Sequence, residues 1–255
     1  MASHPLGTPG APLVIGHRGA AAVRPENTIP SFAHALALGV DAIEFDVRLA
    51  RDGTVVVHHD PDTARTCGER LVIADATAAD LRALDAGATF AGQGWRVAAR
   101  IPRLDETLEL LRDVPLIVEC KTVEVTAPLV AALRRHALLD RVVVGSFLHT
   151  SMRIARAAGA HTAASRGDMV AMCVRAWTGR APARLPNTAF AIPERHGPLP
   201  LPLARIAAMA RPLGIPVHVW TVNDPADALR LWRAGVTGIL SDDPAAMLAA
   251  RARLG

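Results

Sequence analysis

Ala42-Ile43-Glu44-Phe45-Asp46-Val47 reads as a strand, and a strand turns successive side chains to opposite faces, so Glu44 and Asp46 share one side. Its apolar neighbours mark the strand as buried rather than as a solvated edge. Two like charges inside a core are costly unless something positive lies between them, and a metal ion is the simplest candidate. Just upstream, Ile15-Gly16-His17-Arg18-Gly19 ends another apolar run with a histidine and an arginine.

Working outward, short apolar runs alternate with helical patterns along most of the chain. Strands are expected at Leu13–Gly16, Ala42–Val47, Leu116–Cys120, Val142–Ser146, His161–Ser165, Thr188–Ile192, Val217–Trp220 and Gly238–Leu240. Helices are expected between them, at Thr28–Leu38, Asp105–Arg112, Pro128–His136, Ser151–Ala158, Asp168–Trp177, Leu203–Ala210 and Pro225–Ala234. Repeated βα units imply parallel strands, and eight of them predict an α/β fold, a (β/α)8 TIM barrel. An open doubly wound sheet is the structural alternative, but no strand-linked Gly-x-Gly-x-x-Gly supports its dinucleotide-binding form. Thr54–His58 follows an Asp52-Gly53 turn signal and predicts a hairpin on the second strand. The less regular stretch from about 60 to 100, with its glycine-rich Ala91–Gly94, is expected to be an insertion in a single domain spanning 1–255. Pro198–Pro202 reads as a proline-rich connection.

The totals narrow the class. The 255 residues are 51% apolar and 20% charged, a globular balance. No apolar run approaches the length of a membrane span. Met1–Pro12 has no basic segment leading into an apolar one, so no signal peptide and a cytoplasmic location are expected. Cys67, Cys120 and Cys173 are odd in number and far apart, which argues against a disulfide framework or zinc cluster. A net charge of +4 without basic–aromatic interleaving gives little support to nucleic-acid binding. Oligomeric state is not legible.

Active sites in such barrels lie at the C-terminal ends of the strands. There this chain collects His17, Arg18, Glu44, Asp46, His58, His59, Glu119, Lys121, Ser146, Phe147 and Trp220. The carboxylates Glu44, Asp46 and Glu119 form an oxygen-rich set, which favours Mg²⁺ or Ca²⁺ over zinc or copper. His17 and His59 are suited to proton transfer. Arg18 and Lys121 can neutralise an anion, or merely pair with the rim acids. His58 faces away from His59 and reads as a packing residue, as does mid-strand His218. Trp220 is open to two readings, pocket wall or core. Acids, a divalent cation, two histidines and two cations suit phosphoryl-ester cleavage.

The joined motifs His17-Arg18-Gly19, Pro25-Glu26-Asn27-Thr28, Glu44-Phe45-Asp46-Val47, Asp52-Gly53 and His59-Asp60-Pro61 resemble the signature of the glycerophosphodiester phosphodiesterase family. Glu119-Cys120-Lys121, Trp220-Thr221-Val222-Asn223 and Ser241-Asp242-Asp243-Pro244 continue the likeness over roughly residues 13 to 250. The resemblance implies hydrolysis of small-molecule glycerophosphodiesters to sn-glycerol 3-phosphate and an alcohol, with a divalent cation. It implies metal binding by Glu44, Asp46 and Glu119, acid–base catalysis by His17 and His59, and phosphate contact by Arg18 and Lys121. A lysophospholipase D-like reaction and a non-catalytic phosphate-binding barrel are the alternatives. The motifs leave open which histidine is the acid, and whether water or the substrate's 2-hydroxyl attacks.

Overall fold

A computed structural model describes residues 5–90 and 95–254. Part of the expected insertion, Ala91–Gly94, and the first four residues of the N-terminal segment lie outside the described residues. Eight strands build the central sheet: β1 Leu13–His17, β2 Ala42–Leu49, β3 Leu116–Cys120, β4 Val142–Gly145, β5 His161–Thr162, β6 Phe190–Pro193, β7 Val217–Trp220 and β8 Gly238–Ser241. Their order is β5-β4-β3-β2-β1-β8-β7-β6, and every neighbouring pair is parallel. The two ends meet through a parallel bridge between Ala163 and Ala189. There Ala164 N donates to Ala189 O at 3.0 Å and Thr188 N to Thr162 O at 2.9 Å. The sheet thus curls back on itself as the sequence predicts.

Each strand is followed by a helix, in order α1 Ile29–Leu38, α2 Leu104–Leu110, α3 Thr126–Arg135, α4 His149–Ala157, α5 Arg166–Thr178, α6 Leu203–Ala210, α7 Pro225–Arg233 and α8 Pro244–Arg251. Their starts are written in the sequence. Thr28, Ser165, Asp224 and Asp243 cap α1, α5, α7 and α8 by accepting from backbone N–H groups, and proline occupies the first turn of α1, α7 and α8.

Parallel strands buried on both faces divide the core into two layers. Ile15, Ala42, Ile117, Val143, Ala163, Ala189 and Leu240 fill the barrel's interior. Val14, Ile43, Phe45, Val118, Val144 and Val219 face the helices. Phe45 meets Phe32 of α1 with ring centroids 5.6 Å apart, tying the first helix to β2. Cys120 belongs to this outer layer, as its position between Glu119 and Lys121 requires.

Three details differ from the sequence reading. The sixth strand begins at Phe190 rather than Thr188, because Thr188 and Ala189 are spent on barrel closure. The fifth stops at Thr162, because Ser165 is withdrawn to cap α5 in a reciprocal box with Asp168. The proline-rich connection contains a small antiparallel pair, Arg195–His196 with Leu199–Pro200. After β2, Val55–Val57 folds back antiparallel onto Val47–Leu49. The segment beyond it has its own apolar cluster around Val56, Ile73, Leu81 and Ile101.

Candidate active site

Register assembles the acids. β1 sets His17 opposite Glu44, and β3 sets Glu119 opposite Asp46. Glu44 and Asp46 therefore point into the barrel mouth from one strand while Glu119 joins them from the next. Oxygens of the three carboxylates lie within 4.8 Å of one another. Glu44 and Asp46 are only 4% and 1% exposed, so water compensates little of their charge.

The turn after β1 is shaped to hold them. A Cβ on Gly16 would stand 2.3 Å from Gly19 O, and Gly19 takes φ +92°. Between them Arg18 adopts φ +51°, an uncommon angle for a side chain of its size. That angle directs Arg18 N at Glu44 Oε2, 3.2 Å away. Asn27, also left-handed at φ +57°, grips Asp46 twice: its Nδ2 donates to Oδ2 at 2.8 Å, and its Oδ1 accepts from Asp46 N at 3.2 Å.

The cations are shared among the acids. Lys121 Nζ lies 2.8 Å from both Asp46 Oδ1 and Glu119 Oε1. Arg18 Nη1 donates to Glu26 Oε1 at 2.8 Å, while its Nε sits 3.3 Å from Asp46 Oδ2 without the alignment of a hydrogen bond. Arg65 closes the outside, donating to Glu26 and Asp60. The result splits the two strand acids. Burial opposes ionisation of Asp46, but Lys121 and Arg18 overcome it and hold its carboxyl well below the usual range. Glu44 has no lysine or arginine nitrogen within 4.0 Å of its carboxylate among the described side chains: burial, then the charge of Asp46, pushes it up to about 8. A cluster left short of positive charge at Glu44, with hard oxygen donors on three sides, fits a divalent cation.

Both histidines stand on the same cavity, each oriented by an acid. His17 Nδ1 is 2.7 Å from Asp242 Oδ1, and its Nε2 lies 3.9 Å from Glu44 Oε2. Burial works against the imidazolium, yet Asp242 and Glu44 outweigh it and raise the His17 pKa. His59 Nδ1 is 2.7 Å from Asp60 Oδ1. Neither Nε2 makes a hydrogen bond among the described residues. His58 turns the other way, buried, with Nε2 3.1 Å from Asp62 O, and His218 is fully buried; both pack as expected.

The cavity they share measures about 710 Å³ out to its mouth, and Arg18, Glu44, Glu119 and Lys121 line it with the histidines. Its far side is apolar, formed by Ala163, Ala164, Ala191, Phe147 and Trp220. Trp220 packs edge-on against Phe147 with centroids 5.9 Å apart, so it is a wall of this pocket.

Every site residue anticipated from the sequence is at this rim. The partners that hold them were not assigned: Asp242 for His17, Asp60 for His59, Asn27 for Asp46, and Phe147 against Trp220. Asp60 and Asp242 both stand in the quoted motifs; an acid directly after His59 is a signal for Asp60, while nothing local ties Asp242 to His17.

Comparison with known proteins agrees with this geometry. Residues 17–246 match the family model described as the glycerophosphoryl diester phosphodiesterase family. A glycerophosphodiester phosphodiesterase of Caldanaerobacter subterraneus subsp. tengcongensis is 33% identical over 246 residues, covering 92% of this chain and 96% of that one. The crystal structure of a glycerophosphodiester phosphodiesterase from Thermotoga maritima superposes with a TM-score of 0.73 at 25% identity, covering 93% of this chain and 97% of that one. An Oleispira antarctica phosphodiesterase, solved in complex with its product sn-glycerol-3-phosphate, aligns with a TM-score of 0.76 at 25% identity over 95% of this chain and 97% of its own. With its barrel, its rim and nearly its whole length accounted for, the chain belongs to the glycerophosphoryl diester phosphodiesterase family and is a phosphoric diester hydrolase.

Proposed function

We propose that this chain hydrolyses glycerophosphodiesters to sn-glycerol 3-phosphate and an alcohol, by histidine acid–base catalysis at a site that takes a divalent cation, Mg²⁺ or Ca²⁺. The observation that carries the reading is the pairing of His17 and His59 around one buried acid cluster, each with its Nδ1 held by a carboxylate. Glu44, Asp46 and Glu119 would hold the cation, which supplies Lewis-acid stabilisation of phosphate charge.

The protein's own groups do the rest. One histidine takes a proton at Nε2 from the attacking hydroxyl, and the other gives one to the departing alcohol oxygen. Asp242 and Asp60 keep the rings oriented and stabilise them when charged. Arg18, with its buried Nε unspent, and Lys121 bind the phosphate oxygens. The apolar wall of Trp220 and Phe147 keeps water from that side of the diester.

No described helix is long and apolar enough to cross a membrane. The three cysteines are free and buried, which supports a reducing, cytoplasmic setting. The whole of residues 1–255 is proposed to act as one barrel domain with its insertion at about 60–100.

The test is hydrolysis of glycerophosphocholine, read as glycerol 3-phosphate, against hydrolysis of lysophosphatidylcholine, read as choline and lysophosphatidate, before and after exhaustive chelation and with each cation restored. Cation-dependent release from glycerophosphocholine is expected. Undiminished turnover in a verified metal-free preparation would refute the acid-cluster assignment. Preference for the lysolipid, with choline as the product, would establish the lysophospholipase D-like alternative instead.

A further inference from the structure

Arg48 continues the two-residue step of Glu44 and Asp46 along β2, so it leaves the same face of the strand one place above the rim. It does not enter the main cavity. It opens instead onto a neighbouring groove of about 500 Å³, lined by Arg48, His59, Asp60, Lys121, Phe147 and Leu148. His59, Lys121 and Phe147 line both spaces, so the groove begins where the proposed proton-transfer site ends.

Its charge state sets Arg48 apart. The other cations at this rim are all engaged by acids: Arg18 by Glu26 and Asp46, Lys121 by Asp46 and Glu119, Arg65 by Glu26 and Asp60. Arg48 has no carboxylate oxygen within 4.0 Å among the described residues. Its single hydrogen bond among them runs from Nε to His59 O, at 2.9 Å. That bond fixes the plane of a half-buried guanidinium and leaves Nη1 and Nη2 to the groove. Asp60 lies in the same groove but is occupied on both oxygens, by His59 Nδ1 at 2.7 Å and Arg65 Nε at 2.5 Å.

A fixed guanidinium with two unspent donors is a fork for a carboxylate or phosphate. The acids nearby, Asp60 and Glu119, disfavour a dianion and so favour the single charge of a carboxylate. We propose that this groove is the subsite of the departing alcohol, and that Arg48 selects alcohols bearing a carboxylate. The proposal rests on the phosphodiesterase reading, with His59 facing the alcohol side of the scissile bond. It makes Arg48 a specificity residue for diesters with an amino-acid-like head group over those with a purely cationic one.

Glycerophosphoserine and glycerophosphoethanolamine differ by one carboxylate, so the ratio of their kcat/KM values isolates the proposed contact. Both are assayed on the wild-type chain, on Arg48→Gln and on Arg48→Lys, with Mg²⁺ or Ca²⁺ present. The wild type is expected to favour the serine diester about tenfold, as befits one charge-assisted contact. Arg48→Gln is expected to bring the ratio close to one, and Arg48→Lys to retain part of it. A wild-type ratio near one overturns the subsite. So does a ratio that Arg48→Gln leaves unmoved while both rates fall, since that would make Arg48 only a support for His59. If the wild type turned over neither diester, the substrate reading itself would fail, and the subsite with it.

Discussion

The rim has two unlike halves. Over β1 to β3 it is a lattice of acids, cations and histidines; over β4 to β7 it offers Gly145, Ala163, Ala191, Phe147 and Trp220. The two halves sit at the same height of one barrel and share its interior layer beneath. What separates them is compensation. On the polar side Asp46 and Glu119 each have a fixed cation within hydrogen-bond range, whereas Glu44 has the backbone N–H of Arg18. On the other side no acid, histidine, lysine or arginine lines the cavity among the described residues, and Gly145, Ala163 and Ala191 leave volume. On the proposed function, the difference assigns chemistry to one half and substrate shape to the other.

Removing a proton carrier from the polar half should break this division most sharply. His17→Ala and His59→Ala are each expected to lower kcat by about a hundredfold or more, with the circular dichroism spectrum and unfolding midpoint little changed. Near-normal kcat in either variant would remove that histidine from the pair. The apolar half should answer differently. Trp220→Ala loses the edge-on contact with Phe147, and KM is expected to rise up to about tenfold, with kcat reduced less. A kcat loss equal to that of the histidine variants would erase the distinction between the halves.

The smallest effect concerns α5, the helix that follows Ala163 and Ala164 of the apolar half. Asp168 closes the capping box of α5 and pairs with Arg156 at 3.0 Å. Burial opposes its ionisation, but the Ser165 hydroxyl and backbone N–H and then Arg156 prevail, so its pKa is lowered. The unfolded chain therefore binds this proton more tightly than the folded one. Its stabilisation is complete above the unfolded pKa of about 3.9 and is lost as pH falls through the lower native value. Asp168→Asn is expected to cost about 1 kcal/mol in urea unfolding at pH 7. The gap between variant and wild type should shrink below about pH 4. A gap that persisted in acid would show that shape, not charge, supports the cap.

Much of this was legible in the chain. The step from Glu44 to Asp46 places two acids on one face whatever the rest of the molecule does, and Thr28-Ile29-Pro30 or Asp243-Pro244 announces a helix start from local preferences. The fifth strand was overextended because Ala163 and Ala164 look equally at home in a strand or a closing turn; only the competing cap at Ser165 settled them. Phe147 is placed at the end of the fourth strand by the sequence, but only the structure seats it 46% exposed at the cavity mouth, edge-on to Trp220.

Side-chain parity, caps and the identity of the donors are local properties, and residue order alone specified them. Register and closure are not local. The pairing of β2 with β3 brought Glu119 opposite Asp46, and the pairing of β1 with β8 brought Asp242 to His17 across 225 residues of sequence. Lys121 between two acids, the Glu44 carboxyl raised by burial beside Asp46, and Arg48 with no carboxylate oxygen within 4.0 Å among the described residues are consequences of those distances. Electrostatic energies depend on separation in space and on burial, which hydrophobic packing of the whole barrel sets.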